Sequence, residues 1–345
     1  MKSLDRAALG PLSSEAVYLA KGIAIILVVV GHYQVDLEPL YWTQVRTLIY
    51  KFHMPLFFVL SGYLFAATGK RRSFVRLCKE KIGRLIIPFC SVAGILLIAK
   101  YSSGKFVRLD YPVSTASVVK LVVNPMDSYA PTLWFAYTLF LIFMIFPWIQ
   151  VLLKRSPFVF LLALSAMYPP WPAIFCLKYV FLNMPYFAFG AVLGQTVDVE
   201  RVGTKEKALA LALTGYSVAF LFIRLTVGTL AASRAVTVSV NFAFGLLGSF
   251  VILMASQLLA KTNVPILRTV LLPIGYYSMG IYLLHPLFES PIRILFYQVF
   301  KGSSEFFLVA ILAISSGIGW PILLEKYVLR KFETTRKYLL GLGTN

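Results

Sequence analysis

An all-α, polytopic membrane protein with about ten transmembrane helices and both termini cytoplasmic is the fold class this sequence predicts. Three observations carry that expectation. Of the 345 residues, 59% are hydrophobic and only 14% charged, with a mean hydropathy of +0.79, which is more apolar surface than a soluble core buries. Apolar stretches long enough to span a bilayer recur along the whole chain. Basic residues, finally, collect in alternate loops, as the positive-inside rule requires.

The spans read at about 15–33, 50–67, 85–100, 132–153, 157–176, 178–195, 207–226, 237–260, 269–287 and 305–325. The first follows a polar arm, residues 1–14, and shows no small-residue cleavage pattern, so it is expected to stay as an anchor. The densest basic cluster is Lys70, Arg71, Arg72, Arg76, Lys79, Lys81 and Arg84. Lys154-Arg155, the Arg201 to Lys207 segment, Lys261 with Arg268, and the tail from Lys326 to Lys337 fall on the same side of such a bundle. Lys105, Arg108 and Lys120 fall on the other side, so the bias is strong but imperfect. The stretch from about 101 to 131, with Gly104, Pro112, Pro125 and Pro131, reads as an external loop.

No soluble domain, long linker or internal repeat stands out, so residues 1–345 read as one membrane domain with a basic tail at 326–345. The missing repeat disfavours inverted-repeat transporters. An excess of 33 basic over 14 acidic residues could mean nucleic acid, but its loop pattern accounts for it and no nucleic-acid partner is expected. Cys78, Cys90 and Cys176 have neither ligand spacing nor an even count, so neither a disulfide framework nor a metal is expected. Pro55, Pro88, Pro185 and Pro286 are placed to bend or begin helices, and breaks of this kind suit helices that part around a cavity.

Polar residues inside these apolar helices mark the chemistry. Lys21 and His32 lie eleven positions apart in the first span. That spacing is three turns plus about 20°, so they share one face some 16 Å apart. Ionisable groups in a bilayer normally face a polar cavity, although a snorkelling lysine and an interfacial histidine would explain the pair too. The chain has only three histidines, His32, His53 and His285, and the expected topology sets all three near the non-cytoplasmic surface. His53 enters an aromatic-rich helix through Lys51-Phe52-His53-Met54-Pro55, and His285 closes Tyr282-Leu283-Leu284-His285-Pro286.

With these residues in place, the chain resembles the acyltransferase-3 family of integral membrane acyltransferases, especially its short members that act on glycans. The likeness rests on Lys21 and His32, the His53 to Leu64 segment, and Lys81-x-x-Arg84 running into Leu85-Ile86-Ile87-Pro88. Leu133-Trp134-Phe135 and the Tyr282 to Pro286 segment complete it. The resemblance implies a ten-helix core in the bacterial plasma membrane. It also implies transfer of an acyl group, usually acetyl, from cytoplasmic acetyl-coenzyme A to a hydroxyl of a glycan or lipid-linked sugar. His32 matches the catalytic histidine, Lys21 its basic partner, and Lys81 with Arg84 the family's arginine pair. Lysine at the first of those two positions forfeits a rigid bidentate fork.

Elementary chemistry runs parallel to that likeness. Lys81 and Arg84 could hold the phosphates of coenzyme A, whereas Lys70 through Arg76 are accounted for by topology and anionic lipid. Histidine titrates nearest neutrality, so His32 could act as general base or as carrier of the acyl group. His53 or Lys51 could stabilise the oxyanion or position the acceptor, with Lys51 and His285 on the substrate side. Asp36 and Glu38 could orient the imidazole of His32 or simply be solvated. Trp134, Tyr137 and the Tyr168 to Pro172 loop are read as an interfacial aromatic belt outside the site. The rival function is a transporter or exporter of a saccharide or lipid-linked saccharide, with Lys21 and the histidines as a relay.

Overall fold

Helices make up all the regular structure of the computed structural model, which describes residues 13–35, 38–68, 73–155, 164–196, 215, 233–261, 265–296 and 306–342. The helices are α1 (Ser14–His32), α2 (Leu40–Ala67), α3 (Phe74–Lys81), α4 (Ile87–Ser103), α5 (Thr115–Val123) and α6 (Trp134–Arg155). They continue with α7 (Leu177–Thr196), α8 (Arg234–Lys261), α9 (Pro265–Tyr276), α10 (Ser278–Ile294), α11 (Phe306–Leu324) and α12 (Glu333–Leu340). Among the described residues, seven helices are long and apolar enough to cross a membrane, or eight if the bent pair α9–α10 forms one span. This is a multi-pass membrane protein. The span expected at 207–226 lies outside the described residues save Gly215, and that at 157–176 is described only from 164, where turns and a 3-10 helix, Ile174–Cys176, stand.

Two boundaries differ from the sequence reading, for electrostatic reasons. Helix α2 begins at Leu40 rather than near 50, because its charges are partnered within the bundle. Arg46 pairs with Glu38, and Lys51 Nζ donates to Asn241 Oδ1 at 2.7 Å. Helical structure also starts well before 85. The Ser73 hydroxyl caps α3 by accepting from the Arg76 N–H, and Arg76 pairs with Glu80 one turn on.

The prolines act differently from one another. Helices α2, α7 and α10 run on through Pro55, Pro185 and Pro286, a continuity that neighbouring donors make possible in a membrane. Pro88 instead follows a π-helical turn, Ile82–Ile86, which joins α3 to α4. Its ring and missing N–H disfavour the regular i to i−4 ladder, and the wider turn relieves that conflict. Arg84 rides on this turn.

The sharpest break is the 86° bend between α9 and α10, where the sequence reading has a single helix ending at 287. Arg330 holds it. Its guanidinium lies 4.4 Å and 4.9 Å from the ring centres of Tyr276 and Tyr277 and donates to the Tyr276 hydroxyl and to Glu325 Oε1.

Helices α1 and α2 form the centre of the bundle, α2 packing most extensively on α7 and α1 on α9. Glycine lets the backbones meet. A Cβ on Gly62 would stand 1.9 Å from the Phe187 carbonyl oxygen, and one on Gly190 1.9 Å from that of Val59. The α1–α9 seam is built the same way, with Gly22 against Leu271 and Gly275 against Tyr18.

Helix α12 folds back on α4, burying Leu340, and ends at Gly341 with φ +63°. A Cβ there would lie 2.6 Å from Arg84 Cα and 2.8 Å from the Gly83 oxygen. Gly341→Ala therefore suffers both a left-handed backbone penalty, ~1–2 kcal/mol, and a clash with main chain. It is expected to lift α12 from the π turn, and tryptic cleavage at Arg336 and Lys337 should accelerate in the folded protein.

Candidate active site

A cavity of about 940 Å³ opens among α1, α2, α8, α10 and the 109–134 stretch. His32, Lys51, His53 and His285 all line it. Four of the seven residues singled out from the sequence thus meet around one space, although they come from three helices. The stretch from 101 to 131, expected to be loop, contains α5 with its Ser114–Ser117 capping box and supplies one wall of the cavity. Lys100 fastens that wall by donating to the Tyr129 carbonyl at 2.8 Å, and Arg293 does so through Asp110 at 2.5 Å.

Each ring is held by local backbone chemistry. His53 is buried in α2 with Nδ1 2.8 Å from the Ile49 carbonyl oxygen. His285, fully buried in α10, sets Nδ1 3.1 Å and 2.9 Å from the carbonyl oxygens of Ile281 and Tyr282. His32, at the last residue of α1, is half-buried, with its ring centre 5.2 Å from that of His285 and 6.4 Å from that of Tyr50. Tyr50 connects this group to His53, ring centres 5.1 Å apart, while its hydroxyl donates to the Gly31 carbonyl at 2.9 Å. Glu38 is engaged by Arg46 and by the Thr43 hydroxyl, and Asp36 lies outside the described residues.

Several cavity residues escaped the sequence reading. Glu289, 3% exposed, lies one turn beyond His285 on the same face of α10. The signal was an acid at i+4 from a histidine, but Glu289 and Arg293 end an apolar span when hydropathy alone sets the boundary. Tyr50, Asn183 and Asn241 also line the cavity, as does Trp134, which the sequence reading left to the interfacial belt.

Lys21, Lys81 and Arg84 do not line this cavity. Lys21 lies near enough to Arg84 for their like charges to interact, away from the cavity. From there to His32 is about 16 Å of helix. Lys81 Nζ stands 3.5 Å from the ring centre of Phe143, and Arg84 is exposed on its π turn. Among the described residues no cluster of metal-binding side chains occurs.

The fold and the cavity define a multi-pass membrane protein with a histidine-rich polar site enclosed by its helices. The chain belongs to the acyltransferase-3 family, whose model, described as an acyltransferase domain, matches residues 15–326. It is 28% identical over 184 residues to nodulation protein NolL of Sinorhizobium fredii (strain NBRC 101917 / NGR234), a match covering 52% of this chain and 48% of that protein. Nodulation protein NolL of Mesorhizobium japonicum (strain LMG 29417 / CECT 9101 / MAFF 303099) is 25% identical over 189 residues, 52% of this chain and 47% of its own length. The chain thus spans about half the length of the curated relatives it matches. No solved structure matches it.

Proposed function

We propose that the protein is a membrane O-acyltransferase. It takes an acetyl group from acetyl-coenzyme A at the Lys81–Arg84 end and delivers it to a hydroxyl of a cell-envelope glycan or lipid-linked sugar at the histidine end. The observation that carries this reading is the grouping of His32, His53, His285 and Lys51 around one cavity, in a chain of an acyltransferase family. Arg84 and Lys81 would bind phosphate as charged donors, and Lys21 adds positive charge nearby. A cavity of about 940 Å³ is within the size range of small-ligand sites and has room for a sugar hydroxyl beside a thioester.

In this scheme a lone pair on His32 removes the proton of the acceptor hydroxyl as its oxygen attacks the thioester carbonyl. The carbonyl oxygen gains the negative charge, which Lys51 and the cavity's N–H groups are suited to stabilise. Collapse of the tetrahedral adduct breaks the carbon–sulfur bond, and the imidazolium of His32 returns the proton to the leaving thiolate. Topology follows the same reading: donor end and both termini on the cytoplasmic side of a bacterial plasma membrane, acceptor end outside.

The test is to incubate the detergent-purified full chain with acetyl-labelled acetyl-coenzyme A, scoring donor binding, thiol release and label transfer together. Donor binding is expected in wild type and His32→Ala alike, and thiol release in the wild type alone. Neither binding nor release, with saccharide counterflow that survives His32→Ala, would instead make the chain a transporter.

A further inference from the structure

His285 is followed by Pro286, and the two act together on one carbonyl. A helical residue at 286 would donate its N–H to the carbonyl of Tyr282, four positions back, but proline has no N–H to give. That orphaned oxygen lies 2.9 Å from Nδ1 of His285. A carbonyl oxygen only accepts, so Nδ1 must carry the hydrogen. In the uncharged ring the lone pair is then on Nε2, and Nε2 is buried without a hydrogen-bond partner. An unpartnered acceptor in a membrane interior is costly unless something supplies a donor. The ring of His32 is adjacent, centres 5.2 Å apart and planes 38° apart, close enough for a turn of the His32 ring to bring nitrogen to nitrogen at hydrogen-bond distance.

We infer that His285 is a positioning residue for His32: its Nε2 accepts the N–H of His32, so that the opposite nitrogen of His32 carries the lone pair that faces the cavity. Pro286 strengthens this direction by freeing the Tyr282 carbonyl beside that of Ile281, on which Nδ1 also rests. A neutral imidazole here takes the part that a carboxylate plays in a hydrolase triad. This rests on His32 being the general base, but the tautomers it specifies can be read without any turnover.

The chain has three histidines, so ¹⁵N-histidine labelling of the full protein in nanodiscs yields a spectrum that His32→Ala, His53→Ala and His285→Gln assign. The wild type should show His285 with hydrogen on Nδ1 and His32 in a single tautomer. His285→Leu should leave His32 a tautomer mixture and lower kcat ~10-fold or more with the donor KM little changed. His285→Gln, whose amide oxygen can accept in place of Nε2, should restore the single tautomer and part of kcat. Pro286→Ala supplies an N–H that competes for the Tyr282 carbonyl while keeping the other side chains of the cavity. It should loosen Nδ1 without releasing it, because the Ile281 carbonyl still lies 3.1 Å away, so His285→Phe, a ring with no nitrogen, is the second variant if His285→Leu does not fold.

An unchanged His32 tautomer in His285→Leu, or in His285→Phe should the former not fold, overturns the inference, as does hydrogen on Nε2 of His285 in the wild type. Transfer that survives His32→Ala would sink the acyltransferase scheme while leaving the tautomer result standing.

Discussion

His32→Ala is expected to lower acyl transfer ~10²- to 10⁴-fold, the range associated with loss of a general base, while donor binding persists. His32 ends α1 and is half-buried at the cavity, so alanine removes a ring without opening a packed core. Arg84→Ala should act at the other end. Losing a charged hydrogen bond, worth about 1.5–3 kcal/mol, would raise the donor KM tenfold or more with a smaller change in kcat. Steady-state kinetics on variants of equal monodispersity would separate the two. Equal loss of donor binding in both would end the assignment of separate donor and acceptor ends.

Gly190→Val should destabilise the protein by ~3 kcal/mol or more, the upper range for overpacking, because what it meets cannot move aside. The added Cβ would lie 1.9 Å from the Val59 oxygen, 2.7 Å from its carbonyl carbon and 2.9 Å from its Cα, all main chain of α2. Gly62 faces α7 in the same manner, so either substitution prises apart the largest helix pair in the bundle. Gly94→Ala is the control, since a Cβ there meets nothing within 4 Å and should alter stability by less than about 1 kcal/mol. Thermal unfolding in detergent would rank the three. Similar midpoints for wild type and Gly190→Val would refute the packing argument.

How much of this was legible in the chain depends on whether the cause was local. Runs of apolar residues announced the seven described helices long enough to span, and polar residues inside such runs marked His32, His53 and His285. Their meeting in one cavity follows from where each falls along its helix. The start of α2 was hidden because the partner that neutralises Arg46, Glu38, is known only once the chain is folded. The bend at Tyr276 was hidden for the same reason, since its clamp, Arg330, lies 54 positions away. The π turn under Arg84 could have been inferred from Pro88, whose ring disturbs the ladder four residues earlier. Glu289 was missed because hydropathy counts an acid as an end, whereas a buried acid at i+4 from a histidine extends a polar face.

The glycine seams bear on mechanics. Where α2 meets α7 and α1 meets α9, main chain touches main chain, and such joints have no rotamers to rearrange. Where Gly31 of α1 faces α2, by contrast, a Cβ would meet only side chains, Ile49 Cγ2 at 3.5 Å and the Tyr50 ring at 3.9 Å, and the Tyr50 hydroxyl donates to the Gly31 carbonyl. The stretch of seam between His32 and His53 is thus closed by side chains, Ile49 and Tyr50, rather than by main chain against main chain. A change at the backbone-to-backbone joints must move a helix as a whole, whereas one beside Tyr50 needs only a turn of a side chain.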